Sequence, residues 1–508
     1  MEYVTEAKRP VFEAIDSHIL EGTGRSGWVA PVMLAFAVPW GIWTFTALLG
    51  SGGSELAAFN VAAGWFVILA IGYLGLHGRR GLALCSLPVL LTIRALIEFI
   101  AIPTWRFAVG DDGVDTVYVK AMFLVLIGLA AFWTGSLIFM NEAKVHFVPS
   151  SRDTPSRITF ICAVMMILGF GGKLVMWKLH LLSYTADYGF REDKLAIMQW
   201  LNLLANLLNV ALVVSAIEVL GKQNREALIR FVFMASVAGS IVFGVISGMK
   251  SECLKPFICL VLVYVLTRGR VPRTAYLIPV LLILMYPFVN AYRDNLNSGY
   301  RDQSNTIEGL AAVLEKSFVD VIQTHDTGIE KASMGFDLTA NRLSLLTGVR
   351  DVIGLPEPSL LNGDEKIWFA PFYPLIPRLL WEGKPVLNKG QRLSVATGHP
   401  STNSSAVTPI GDLYSMYGIY GMIVGMLIYG FALQIYTNKV TAKRLSEKSV
   451  FIYILMLMAL TNLEVDAVSL VASSVQIGLI LLVTSYFIYG SSTARGYVRR
   501  YRKELTAV

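Results

Sequence analysis

The sequence predicts an all-α polytopic membrane protein with about twelve transmembrane helices and one large external loop. Three observations predict it. Apolar stretches of spanning length follow one another along most of the 508 residues. Mean hydropathy is +0.57 and only 16% of residues are charged, against about 25% in soluble chains. Lys and Arg recur in alternate connections, as expected where cytoplasmic loops retain positive charge.

Residues 1–27 mix charges (Glu2, Glu6, Lys8, Arg9, Asp16) ahead of the first apolar run, which predicts a cytoplasmic N-terminal segment rather than a cleaved leader. Residues 28–291 hold nine predicted spans: 28–50, 57–77, 82–102, 118–140, 158–177, 197–220, 228–247, 253–266 and 275–291. Residues 407–490 hold three more, 408–436, 450–463 and 468–489, and 491–508 form a basic tail. Arg79 and Arg80, then Lys144, Arg152 and Arg157, then Lys222 and Arg225, then Arg268, Arg270 and Arg273, then Lys439, Lys443, Arg444 and Lys448 mark one side. Glu55, then Asp111, Asp112 and Asp115, then Glu464 and Asp466 mark the other. Both termini therefore fall in the cytoplasm and residues 292–406 fall outside.

That loop has its own pattern. Ile307, Leu310, Ala311, Leu314, Phe318, Val321 and Ile322 recur at helical spacing after Asn305 and Thr306, either of which can cap a helix. The spacing predicts an amphipathic helix on the bilayer or against the bundle. A second helix is expected over 337–349, with Arg342 on its apolar stripe. Residues 367–381 read IWFAPFYPLIPRLLW, and Pro371, Pro374 and Pro377 forbid an ordinary spanning helix. A re-entrant or interfacial segment is expected there.

The loop also carries the chemistry expected of the chain, because cations beside aromatic and proline-rich neighbours suit an anionic, lipid-linked substrate. Arg342 and Arg378 each need an anionic partner, which a neighbouring carboxylate such as Glu357, Asp364 or Glu382 would supply if the role were structural. Lys384, Arg293 and Lys250 are further candidates, Lys250 standing where a helix N-terminus can favour an anion. His399, Asp412 and His325 are the candidates for a general base. Within the spans, Arg94 and Glu98 are expected to pair structurally, whereas Lys173 needs a cavity or a partner.

Other classes are disfavoured. The net charge of +7 reflects cytoplasmic loops rather than nucleic-acid binding. No phosphate-binding glycine loop and no Cys/His metal spacing occurs, so no metal and no cofactor is expected. Cys85, Cys162, Cys253 and Cys259 all sit in apolar runs, and disulfides are not expected.

The run IPRLLWEGKP at 376–385, followed by TPIGDLYSMYGIYGMIVGMLIYG at 408–430 and preceded by SGMKSE around Lys250, resembles the Wzy-type oligosaccharide repeat unit polymerases of bacterial envelopes. One spacing departs from that family by one residue, since an Arg-x10-Gly pattern starting at Arg378 meets Lys389, with Gly390 following it. The resemblance implies the fold of the C-type membrane glycosyltransferases and a multi-pass protein of the bacterial inner membrane with a periplasmic loop. It implies transfer of a growing glycan from undecaprenyl pyrophosphate to a sugar hydroxyl of an incoming lipid-linked unit. Arg342, Arg378 and Lys384, with Lys250 and Arg293, would then hold the pyrophosphate, and His399, Asp412 or His325 would take the hydroxyl proton. The implied partners are the undecaprenyl-pyrophosphate-linked oligosaccharide, membrane lipids and a chain-length-determinant co-polymerase. A lipid-linked oligosaccharide flippase and an O-antigen ligase are the alternatives.

Overall fold

The computed structural model describes residues 86–109, 115–138, 147, 155–182, 192–269, 271–300, 304, 306–323, 344–381, 383–399, 404–441 and 445–505. The first two predicted spans lie outside the described residues. The rest is helical, and the one strand-like pairing among the described residues is an isolated bridge between Phe147 and Leu445.

Leu87–Leu96 (α1) has Pro88 in its first turn, where a missing N–H leaves no bond unmade, and continues through a wide turn at Ile97–Ala101 into Ile102–Val109 (α2). Thr116–Ile138 (α3), Pro155–Lys178 (α4), Glu192–Ala216 (α5), Ala227–Ile246 (α6), Lys250–Arg268 (α7) and Leu277–Asn295 (α8) follow. After the loop come Pro409–Thr441 (α12), Glu447–Leu460 (α13) and Ala467–Leu505 (α14). Seven segments among the described residues are long and apolar enough to cross a membrane: Leu87–Thr104, Thr116–Ile138, Arg157–Lys178, Ile197–Gly221, Ala227–Ile246, Pro409–Val440 and Ala467–Tyr489. The protein is a helical membrane protein. Helices α7, α8 and α13 occupy three more of the predicted positions. With 14 residues, α13 rises about 21 Å, short of the ~30 Å hydrocarbon core. No proline interrupts α14, and it runs without a break into the segment expected to be a separate tail.

The bundle closes where small residues let backbones meet. A Cβ on Gly135 of α3 would lie 2.0 Å from the Leu427 carbonyl oxygen, and one on Gly430 of α12 would lie 1.9 Å from that of Phe132. Ser136 Oγ donates to the Gly430 carbonyl at 3.2 Å across the same crossing. Helices α4 and α5 meet similarly, with Gly169 against Leu208 and Gly172 against Ala205.

Within the loop, Ile307–Gln323 (α9) forms as its spacing predicts, and Thr306 Oγ1 accepts the Gly309 N–H at 3.1 Å. Its buried side, Val313 and Ser317, packs on Tyr292 and Asn295 of α8 and on Leu296 just after it. The described part of the second predicted helix starts at Leu345 and runs past its predicted end. Leu345–Gly354 (α10) starts after Ser344 in extended backbone, and its stripe of Leu345, Leu346, Val349 and Val352 continues past the predicted end to meet α3 and α12. Residues 337–343 lie outside the described residues. The proline-rich run forms short tight turns at Ile367–Phe372 and Arg378–Leu380, and a short helix, Lys389–Ala396 (α11), precedes α12.

Candidate functional site

Pro377 opens a chain reversal in which Leu380 N–H returns to the Pro377 carbonyl at 2.9 Å, Trp381 N–H to Arg378 at 3.2 Å and Lys384 N–H to Trp381 at 3.1 Å. The reversal folds the two cations of the PRLLWEGKP run toward each other. Arg378 Nη2 donates to the Pro385 carbonyl at 3.1 Å, and Lys384 Nζ donates to the Ile376 carbonyl at 2.9 Å and to Gln199 Oε1 at 3.3 Å. Gln199, near the start of α5, also donates through Nε2 to the Pro374 carbonyl at 3.1 Å, so one amide fastens the turn to the bundle. Trp381 stacks obliquely on Tyr373, their centroids 5.7 Å apart.

Both cations are half-buried, and among the described residues neither forms an ion pair with a carboxylate. Glu357 and Asp364, two of the three acids expected as partners, are exposed and form no ion pair with Arg378, and Glu382, the third, lies outside the described residues. Burial, and then the Arg378 guanidinium, push the Lys384 ammonium below its ordinary range. Two cations that repel each other and, among the described residues, are held by neutral oxygens can donate together to an anion with several oxygens, such as a phosphoryl group.

A second polar centre lies where the loop enters α12. Lys389, the first residue of α11, is 1% exposed and forms an ion pair with Asp412, which has no exposed surface. Asp412 Oδ2 also accepts the Ala467 N–H at the start of α14 at 2.9 Å, and Lys389 Nζ reaches Asn362 Oδ1 at 3.3 Å. One carboxylate thus joins α11, α12 and α14. With no exposed surface and both oxygens bonded to protein, Asp412 acts in this structure as a fastening. Alongside, Arg392 pairs with buried Glu365 at 2.8 Å.

A third group surrounds the start of α7. Arg293 Nε donates to the Gly248 carbonyl at 2.6 Å, and Lys173 lies 3.5 Å from Glu252, which also pairs with Lys255. The backbone places Lys250 at the first position of α7, in the same neighbourhood. Arg94 pairs with Glu98 as expected, at 2.7 Å, and also reaches Glu464 at 2.9 Å, which makes it a tie between α1 and the α13–α14 connection.

Of the expected bases, His399 is exposed, and its N–H closes the end of α11 on the Ser394 carbonyl at 2.8 Å. His325 and Arg342 lie outside the described residues. Sequence reasoning missed Gln199, the Lys389–Asp412 pair, Glu365 with Arg392, and the Glu252 partner that Lys173 shares with Lys255. Glu252 and Lys255 had a legible signal, charges three apart at the head of an apolar run; Gln199 is one amide among many.

The chain belongs to the family described as Domain of unknown function (DUF8712), which matches residues 104–445, more than half of the chain and the charged side chains of all three polar centres. No curated protein and no solved structure matches it.

Proposed function

We propose that this member of the DUF8712 family is a membrane glycosyltransferase that polymerises lipid-linked oligosaccharide repeat units. The growing glycan leaves undecaprenyl pyrophosphate as its anomeric C–O bond to phosphate breaks, and a hydroxyl of the incoming unit forms the new glycosidic bond. The hydroxyl proton goes to a base, for which solvent-facing His399 is the described candidate. The lipid pyrophosphate departs with the bonding electrons and needs positive charge aimed at it. In this reading the protein crosses the bacterial inner membrane about twelve times, with both termini in the cytoplasm and residues 292–406 in the periplasm.

The observation that carries the reading is the Arg378 and Lys384 pair, held by carbonyl and amide oxygens and left without a carboxylate among the described residues. A cation with a structural task would sit against an acid, as Lys389 does. The test is a glycan-ladder assay with purified protein and its lipid-pyrophosphate-linked repeat unit, without ATP. Arg378→Ala is expected to lower polymerisation about 100-fold or more, the typical effect of removing one preorganised charge donor. Wild-type protein that builds no ladder under these conditions sinks the proposal.

Transport of the lipid-linked unit is the second reading. It is favoured by Lys173 and Glu252, which pair inside the bundle at the span Arg157–Lys178, where intramembrane charges commonly mark a translocation path. Movement of the lipid-linked unit across a vesicle bilayer without polymerisation would select it. A ligase would give a single transfer to a different acceptor instead of a ladder.

A further inference from the structure

The proline-rich run has two faces of opposite character. Ala370 and Tyr373 are buried against Val468 and Ala472, the first turns of the α14 span. The other side presents Trp368, Phe369, Phe372, Leu375 and Leu380 to the exterior, with Trp368 and Leu380 respectively 75% and 79% exposed. Large apolar side chains are rarely so bare over so short a run unless something apolar covers them. The covering medium is indicated by position. The segment lies beside the end of a membrane-spanning helix whose own outward side chains, Leu482, Val483, Tyr486 and Phe487, are exposed in the same way.

The backbone is prepared for such a place. Tyr373, Leu375, Ile376, Leu380 and Trp381 direct their N–H groups to carbonyls within the segment, Phe369 directs its own to Lys366 just before it, and Pro371, Pro374 and Pro377 have none. Local turns and prolines together remove donors that would otherwise have to leave water unsatisfied. Trp and aromatic side chains favour the headgroup boundary, and Lys and Arg there reach lipid phosphates.

We infer that residues 367–380 form an interfacial anchor, seated in the lipid surface beside α14 with Trp368, Phe369, Phe372, Leu375 and Leu380 below the headgroups. The partner is the bilayer itself. Anchored this way, the turn holds Arg378 and Lys384 at phosphate height. The anchoring rests only on the membrane embedding of the bundle; its use in meeting a lipid-linked donor rests on the polymerase reading.

The test uses the full chain in lipid nanodiscs with an environment-sensitive fluorophore on Trp368→Cys or Leu380→Cys, and the unsubstituted chain labelled in parallel as background. Leu482→Cys on α14 supplies the lipid-facing reference, and Val395→Cys, exposed on α11, supplies the aqueous one. Labels at 368 and 380 are expected to be quenched by brominated acyl chains as at 482, and to be quenched by aqueous iodide several-fold less than at 395. If either label behaves like the one at 395, the anchor is overturned. No glycan transfer enters the readout, so a failed ladder assay and a failed anchor remain separate results.

Discussion

Lys384 and Lys389 belong to the same loop and have opposite surroundings. Lys389 is enclosed and matched to Asp412, and the pair joins three helices. Lys384 is half-buried beside a second cation and, among the described residues, touches only neutral oxygens. Both are desolvated to some degree, yet among the described residues only Lys389 has its charge cancelled by a carboxylate. The partner, more than burial, separates a cation that holds the fold from one that remains available to a ligand.

The largest effect is expected at the enclosed pair. Lys389→Ala strands the Asp412 carboxylate in a dry site and is expected to destabilise the protein by about 3–5 kcal/mol, read from unfolding in detergent or nanodiscs. The double variant Lys389→Met with Asp412→Leu should recover most of that loss, because an apolar pair of similar volume leaves no charge unmatched. A double variant as unstable as the single one would mean that the bond from Asp412 to Ala467, rather than the ion pair, carries the fastening.

A smaller effect, of opposite kind, is expected at Lys384. Its folded pKa is lowered, so the charged form is disfavoured in the empty fold, and stability rises as pH climbs through that lowered value toward the ordinary lysine range. A bound anion reverses the preference. Inorganic pyrophosphate binding, measured by calorimetry, should therefore weaken about tenfold as pH rises through the same window, the worth of one charge-assisted hydrogen bond. Lys384→Arg should bind without that decline. A pH-independent affinity in the unsubstituted protein would remove Lys384 from the anion site.

The smallest effect belongs to Asp115 and Arg350, an ion pair at 2.7 Å whose side chains are more than a third exposed. The hydrogen bond from Arg350, with that from the Tyr118 N–H, lowers the Asp115 pKa. The depressed value means the contribution is present above the ordinary aspartate pKa and lost as pH falls through the folded one. Solvent screening limits it to roughly 1 kcal/mol or less. Asp115→Asn should leave unfolding at neutral pH almost unchanged and flatten the acid limb slightly.

Hydropathy made most of the bundle legible, because a span needs only a sufficient run of apolar residues, and α3 to α8 fall within a few residues of their predicted limits. Helix α9 was legible for the same reason, since its periodicity and Thr306 cap are local. Helix α10 outran its predicted end because Val352 and Ile353 extend a stripe whose destination is α3 and α12, a contact distant in sequence. At the site, cations could be found from the sequence but their partners could not. Arg378 and Lys384 stood out in one short run, whereas Gln199 joins them from α5, and Asp412 became a fastening only when Lys389 and Ala467 closed around it.

Helix α12 contains one residue that changes how this fastening can be understood. Gly418 has φ +66° and ψ −165°, a backbone state open essentially to glycine alone, so the piece of α12 bearing Asp412 is not collinear with the remainder of the span. The loop is thus clipped to a short helical segment that meets the long shaft crossing the membrane at a bend. That segment is itself seated on the bundle, with Ile410 against Gly128 of α3 and Gly411 against Val352 of α10. A side chain at 418 would strain the bend, so the direction in which the loop is carried depends on that glycine.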